Sequence, residues 1–216
     1  MRPVLIIYTI LICTQHSNCQ TVSKAEILNE FRKHRTIPKL DSIFYDEYHS
    51  GARETFDKLR KDDVDTLVVF LFDHPGHSLL IKNDTCSDIR NSYFFWKHQG
   101  EYRLSADSKH CVLLSGASSK RIVNFATDNF SRIRDEFFME AVFGAERKGD
   151  NIKIAESWVD HEPKYALLVV VNGSYNYLEF TNNGLTNKRS LFLDYNRALM
   201  TYELFRLIEE ERKGGR

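Results

Sequence analysis

The chain has 216 residues, and its 30 Lys and Arg are matched by 30 Asp and Glu, so its formal charge is zero. That balance excludes a polybasic nucleic-acid binder and an acidic solvating tail as descriptions of the whole chain. Apolar residues at 42% and charged residues at 28%, with 10 Gly and 4 Pro, are globular proportions that exclude collagen-like, Pro-rich and disordered architectures.

The first element is a secretory signal. Arg2 is a short basic region, Val4 to Cys13 is an apolar run, and polar residues Thr14 to Asn18 follow. The run is about half the roughly 20 residues that a membrane span needs. Small residues Ser17 and Cys19 suit the cleavage positions, so residues 1–19 are expected to leave and 20–216 to form a single secreted domain. The mature chain then carries 29 basic and 30 acidic residues, and Cys86 and Cys111 are its only cysteines. In an oxidising compartment they are expected to pair, closing a loop of about 25 residues worth on the order of 3 kcal/mol. Three N-x-[ST] sequons, at Asn83, Asn129 and Asn172, predict an N-glycosylated extracellular protein with each occupied site facing solvent.

A helix follows. Ser23 to Glu26 reads as a capping box, Val22 and Ile27 as its staple, and Ile27, Leu28 and Phe31 as its apolar stripe, with Pro38 as a stop. A second helix is predicted over 52–60 with Phe56 and Leu59 inward. The period then changes. Thr66 to Asp73 is a β-branched and aromatic run, and Pro75-Gly76 turns it toward Ser78 to Lys82. Strands are predicted at 92–98, 101–104, 110–114 and 120–126, and Leu114 to Ser119 as a flexible loop. Residues 130–142 fit either a helical face or a strand, with helix slightly preferred. Strands 151–156, 164–171 and 174–181 follow, the last two joined by Asn172-Gly173 as a type I′ turn. Asn182 to Gly184 is expected to turn the chain into a further strand at 189–194, and a helix over 195–212 closes it.

Short turns between neighbouring strands dictate antiparallel pairing. The fold class is therefore mainly antiparallel β, as a curled or barrel-like sheet of roughly nine strands, with N- and C-terminal helices, an α+β protein. Continuous apolar runs at 66–72 and 165–171 mark two strands buried on both faces. The element order is similar to that of lipocalins by analogy, although the Gly-x-Trp of that family's first strand is absent.

No motif indicates a catalytic residue, cofactor or metal: the P-loop, G-x-G-x-x-G, H-E-x-x-H, EF-hand and G-x-S-x-G patterns are missing. His74 and His77 beside Asp73 offer metal-type ligands at what reads as an ordinary turn tip, and His98, His110, Asp107 and His161 could join only in three dimensions. Asp160, His161 and Glu162 read as a solvated loop. Aromatics are more informative. Alternation puts Phe94 and Trp96 on one face of their strand and Tyr175 and Tyr177 on one face of theirs. The expected function is binding of a small hydrophobic or amphipathic ligand against these four residues. The alternatives are an extracellular protein–protein interaction module with a filled core and, third, a secreted hydrolase.

Overall fold

A computed structural model of the chain describes residues 22–44, 50–62, 64–73, 90–106, 115–157, 159 and 162–214. The expected signal segment, Asn83, Cys86, Cys111, His74, His77, Asp107, His110, Asp160 and His161 lie outside the described residues, as do the strands expected at 78–82 and 110–114.

Helix α1 (Lys24–His34) begins as its sequence dictates. Ser23 Oγ accepts from the Glu26 amide at 3.3 Å while the Ser23 amide donates back to the Glu26 carboxylate at 2.8 Å. A 3-10 turn at Leu40–Ser42 precedes α2 (Ser50–Lys61), whose Ala52, Phe56 and Leu59 recur at helical spacing and are buried. Strands β1 (Thr66–Asp73), β2 (Arg90–His98) and β3 (Glu101–Ala106) lead to α3 (Gly116–Ile133). A separate hairpin, β4 (Val142–Lys148) and β5 (Asn151–Glu156), precedes β6 (Lys164–Val171) and β7 (Ser174–Thr181). Helices α4 (Asn182–Thr186), α5 (Leu193–Arg197) and α6 (Met200–Gly214) finish the chain.

The main sheet has the order β3-β2-β1-β6-β7, with every neighbouring pair antiparallel. This is the expected antiparallel α+β architecture with helices at both ends; the sheet is open rather than closed. Its centre is β1 and β6, the two runs expected to be buried on both sides. Val68 and Phe70 point to one side, with Tyr93, Phe95, Leu167, Val169, Leu178 and Phe180, and that side is covered by α1, α3, α6 and the β4–β5 hairpin. Leu67, Val69 and Leu71 point to the other side, with Phe94, Ala166, Leu168 and Tyr177, under α2, Ile43 and Phe44. A strand with apolar side chains on both faces needs two cover layers, and helices supply both. The β6–β7 turn has φ of 49° at Asn172 and 78° at Gly173, as a type I′ hairpin requires.

Four local expectations are corrected. Residues 120–126 are helical: Ile122, Val123, Ala126 and Ile133 form one buried α3 stripe. Leu114 to Ser119 is not a loop throughout, because Ser115 caps α3 through its hydroxyl and Gly116 opens the helix. In place of the strand expected at 189–194 the chain turns and enters α5, with only the Leu191 amide reaching a strand, at Val142 O, 2.8 Å away. The closing helix is interrupted at 198–199, and the described residues contain seven strands.

The ambiguous segment 130–142 is neither alternative over most of its length. Helix α3 ends at Ile133, β4 starts at Val142, and residues 135–141 carry no regular structure, yet Phe137, Met139 and Ala141 are buried. A buried irregular backbone must find its hydrogen bonds elsewhere. Two fully buried amides provide them. Asn176 donates to Ile133 O at 2.6 Å and Glu136 O at 3.0 Å and accepts from Arg35. Asn196 donates to Met139 O at 2.7 Å and Gly184 O at 2.9 Å and accepts from the Met139 amide at 2.9 Å. Glu136 accepts from the Met200 and Thr201 amides at 2.9 and 2.8 Å, capping α6.

The same junction explains Gly184, where an added Cβ would meet Met139 O at 3.0 Å. Beside it, burial pushes the Glu140 carboxyl above its ordinary range. The Thr181 hydroxyl, 2.8 Å away, opposes that shift, as does Lys164, while Glu162 and Glu156 add to it. A raised carboxyl binds its proton more tightly in the folded state. Its stabilising contribution is therefore present below the unfolded value and lost as pH rises through the folded one. Glu140→Gln is thus expected to raise the melting midpoint at neutral pH, with the gain vanishing by about pH 3, below the ordinary glutamate value, where the wild-type carboxyl is protonated in both states. A gain of equal size at both pH values would show that ionisation of Glu140 is not its cause.

Candidate functional site

The four aromatic side chains singled out in the sequence lie on one face of the sheet, in two pairs separated by β1 and β6. The register places Trp96 opposite Leu67, Leu67 opposite Val170, and Val170 opposite Tyr175, so these form one row across the sheet. The adjacent row is Phe94, Val69, Leu168 and Tyr177. All eight side chains project to the α2 side. Odd-numbered positions of β1 and β7 and even-numbered positions of β2 and β6 share this face because side chains alternate along each strand.

The two rows differ in access. Phe94 and Tyr177 are 1% and 9% exposed and belong to the same buried cluster as Phe44 and Phe56, whose ring centroids lie 4.4 Å apart. Trp96, Val170 and Tyr175 are only half-buried, as are Leu40 and Val64, which pack against the same cluster. The face is therefore packed at its middle and open at one end. Polar groups fix its margins. The Tyr175 hydroxyl donates to Pro38 O at 3.1 Å, tying the segment before α2 to the sheet, and the Tyr177 hydroxyl donates to Glu179 at 2.5 Å. On the same face, next to Leu71, the Ser92 hydroxyl is buried with no hydrogen-bond partner among the described residues.

The contribution of α2 was half legible. Its inward residues follow from spacing, but which sheet face they cover does not, so Phe44, Phe56 and Leu40 could not be assigned to the site. No signal in the sequence marks Leu40 or Val64 as site residues.

Elsewhere, α1 and the β4–β5 hairpin bound a cleft of ≈ 510 Å³ lined by charged side chains, including Glu30, Lys33 and Asp150, and crossed by the Arg147–Glu26 ion pair. Among the described residues no group of three or more His, Cys, Asp or Glu could hold a metal. No helix among them is long and apolar enough to cross a membrane. The sequon residue Asn172 is exposed at the tip of the β6–β7 hairpin, whereas Asn129 is half-buried on α3 and donates to Phe125 O at 2.9 Å. Compared with protein-family models, curated proteins and solved structures, the chain matches none.

Proposed function

We propose that the protein is a secreted, N-glycosylated binding protein that takes a small hydrophobic or amphipathic ligand against the sheet face carrying Phe94, Trp96, Tyr175 and Tyr177. The observation that supports this reading is that those four residues share one sheet face, two on β2 and two on β7, and that its end at Trp96 and Tyr175 is only half-buried. Indole and phenol rings with one polar edge suit a ligand with both apolar and polar parts. The filled packing around Phe94 and Tyr177 favours a second reading, in which the half-exposed row Trp96, Val170 and Tyr175 contacts another extracellular protein.

One experiment separates the two. The protein is secreted from a eukaryotic host, and Trp96 fluorescence is followed in a Trp158→Phe background, which leaves one of the chain's 2 tryptophans. A panel of fatty acids, amines and retinoids is expected to shift its emission saturably, and Tyr175→Ala to weaken the response about tenfold, the loss of ~1.4 kcal/mol. If no panel member shifts the emission and native mass spectrometry finds no bound molecule, the ligand reading fails and the surface reading stands.

The extracellular part of the proposal has its own check. A disulfide between Cys86 and Cys111 is expected in the secreted protein, with neither thiol alkylated until reductant is added. Asn172→Gln is expected to remove the mass of one glycan. Alkylation of both thiols without reductant, or a glycan mass indifferent to that substitution, would count against secretion through an oxidising, glycosylating route.

A further inference from the structure

On the sheet face away from α2, Phe72 of β1 lies opposite Tyr165 of β6, and their rings stack with centroids 5.4 Å apart. Phe70 bridges this pair to Tyr93, at 6.1 Å from both tyrosine rings. Helix α6 brings Glu209 and Arg212, three residues apart, to the same place. The Arg212 guanidinium stands 5.1 Å from the Phe72 centroid and donates to both Glu209 carboxylate oxygens, at 2.9 and 3.0 Å. The Tyr93 hydroxyl is a further partner. The Arg212 and Glu209 side chains are only 23% and 13% exposed. Burial lowers the guanidinium's affinity for its proton, and Glu209 and Tyr93 more than restore it. Burial also holds the Tyr165 phenol un-ionised, pushed up to about 12.

Aromatic faces with a carboxylate at one side are the arrangement that recognises organic cations. A planar guanidinium adds bidentate pairing with that carboxylate. We propose that Phe72, Tyr93, Tyr165 and Glu209 form a recognition site for a guanidinium group carried by a ligand, and that Arg212 occupies it as an intramolecular stand-in. Arg212 sits in the last turn of α6, which ends at Gly214, so unwinding a single turn releases it. A tethered occupant competes at an effective concentration in the millimolar range or above, so the intact site binds free guanidinium weakly. This site lies across the sheet from the Trp96 face and does not depend on it.

The test removes the stand-in. Arg212→Ala is titrated with ethylguanidinium at constant ionic strength while the thermal midpoint is followed. A saturable rise is expected, half-complete at one tenth or less of the concentration that wild type needs, and it should vanish when Phe72→Leu is added. If the variant keeps its native far-UV circular dichroism and shows no rise beyond that of equal NaCl, the proposal is overturned. If the variant does not fold alone, ethylguanidinium must restore the fold, and failure to do so overturns it equally. Gly-Arg-Gly binding more tightly than ethylguanidinium points to a polypeptide source, and equal binding points to a free guanidine. A Gly-Lys-Gly response as large as that of Gly-Arg-Gly would overturn the assignment to guanidinium.

Discussion

Replacing Asn196 by Ala is expected to lower the stability of the fold by about 3 kcal/mol, since it strips partners from three buried backbone groups at once. Those groups are the Met139 amide, Met139 O and Gly184 O, all within 2.9 Å of the fully buried Asn196 side chain. Each loses a net hydrogen bond of roughly 1 kcal/mol. For a domain of this size the midpoint should fall by roughly 6–12 °C. The proper comparison is Asn182→Ala, whose amide reaches Thr186 at only 3.5 Å in an exposed position and should change stability by less than about 0.5 kcal/mol. Equal effects of the two substitutions in a denaturant titration would mean that the 135–141 backbone does not depend on Asn196.

The contrast between these asparagines shows what the sequence could and could not reveal. Strands β1 and β6 announce themselves because runs such as TLVVFLF and YALLVVV have one physical use, burial on both faces. The α1 cap is equally plain, because Ser23 and Glu26 satisfy each other three residues apart. Asn172-Gly173 is legible for the same local reason, since both residues tolerate positive φ. Local rules fail where the partner is distant. Asn196 lies 57 residues from Met139, and Asn176 lies 43 from Ile133, so nothing near either residue shows that its amide replaces a ladder. Residues 137–141 alternate buried and half-buried as a strand would, but they pair with side chains, which is why the sequence prefers helix to strand there only slightly. At α3 the missed evidence was local: Ser115 and Ser118 form a capping box, and Ile122, Val123 and Ala126 keep helical spacing behind it. β-Branched residues in 120–126 favoured a strand on propensity, and tertiary burial overrode it. The candidate site divides in the same way. Alternation correctly paired Phe94 with Trp96 and Tyr175 with Tyr177, but only the register aligned the two pairs on one face, and only the packing of α2 decided which row stays open.

Phe56→Ala should destabilise the protein by about 3–5 kcal/mol, the usual consequence of emptying a buried phenylalanine position. Phe56 is 2% exposed, its ring meets Phe44 at 4.4 Å, and it joins Ala52 and Leu59 as the buried stripe of α2. Its removal opens space between α2 and the sheet that is lined by the apolar side chains of that cluster and therefore stays dry and receptive to apolar molecules. A ligand that binds the folded state stabilises it by mass action, so a ligand seated on this face should recover more stability in Phe56→Ala than in wild type. Any new apolar cavity takes up small apolar molecules to some degree, and the opposite face supplies the control. Phe70 is fully buried on the α1, α3 and α6 side, so Phe70→Ala should destabilise the fold similarly. It leaves the row at Trp96 and Tyr175 untouched, and the saturable change in Trp96 emission should survive in it with its midpoint unmoved. In Phe56→Ala the same midpoint should shift to lower ligand concentration, since the packed middle of the face then becomes continuous with its open end. If the two variants shift it equally, the ligand does not enter beneath α2, and contact at the outer row alone accounts for the fluorescence.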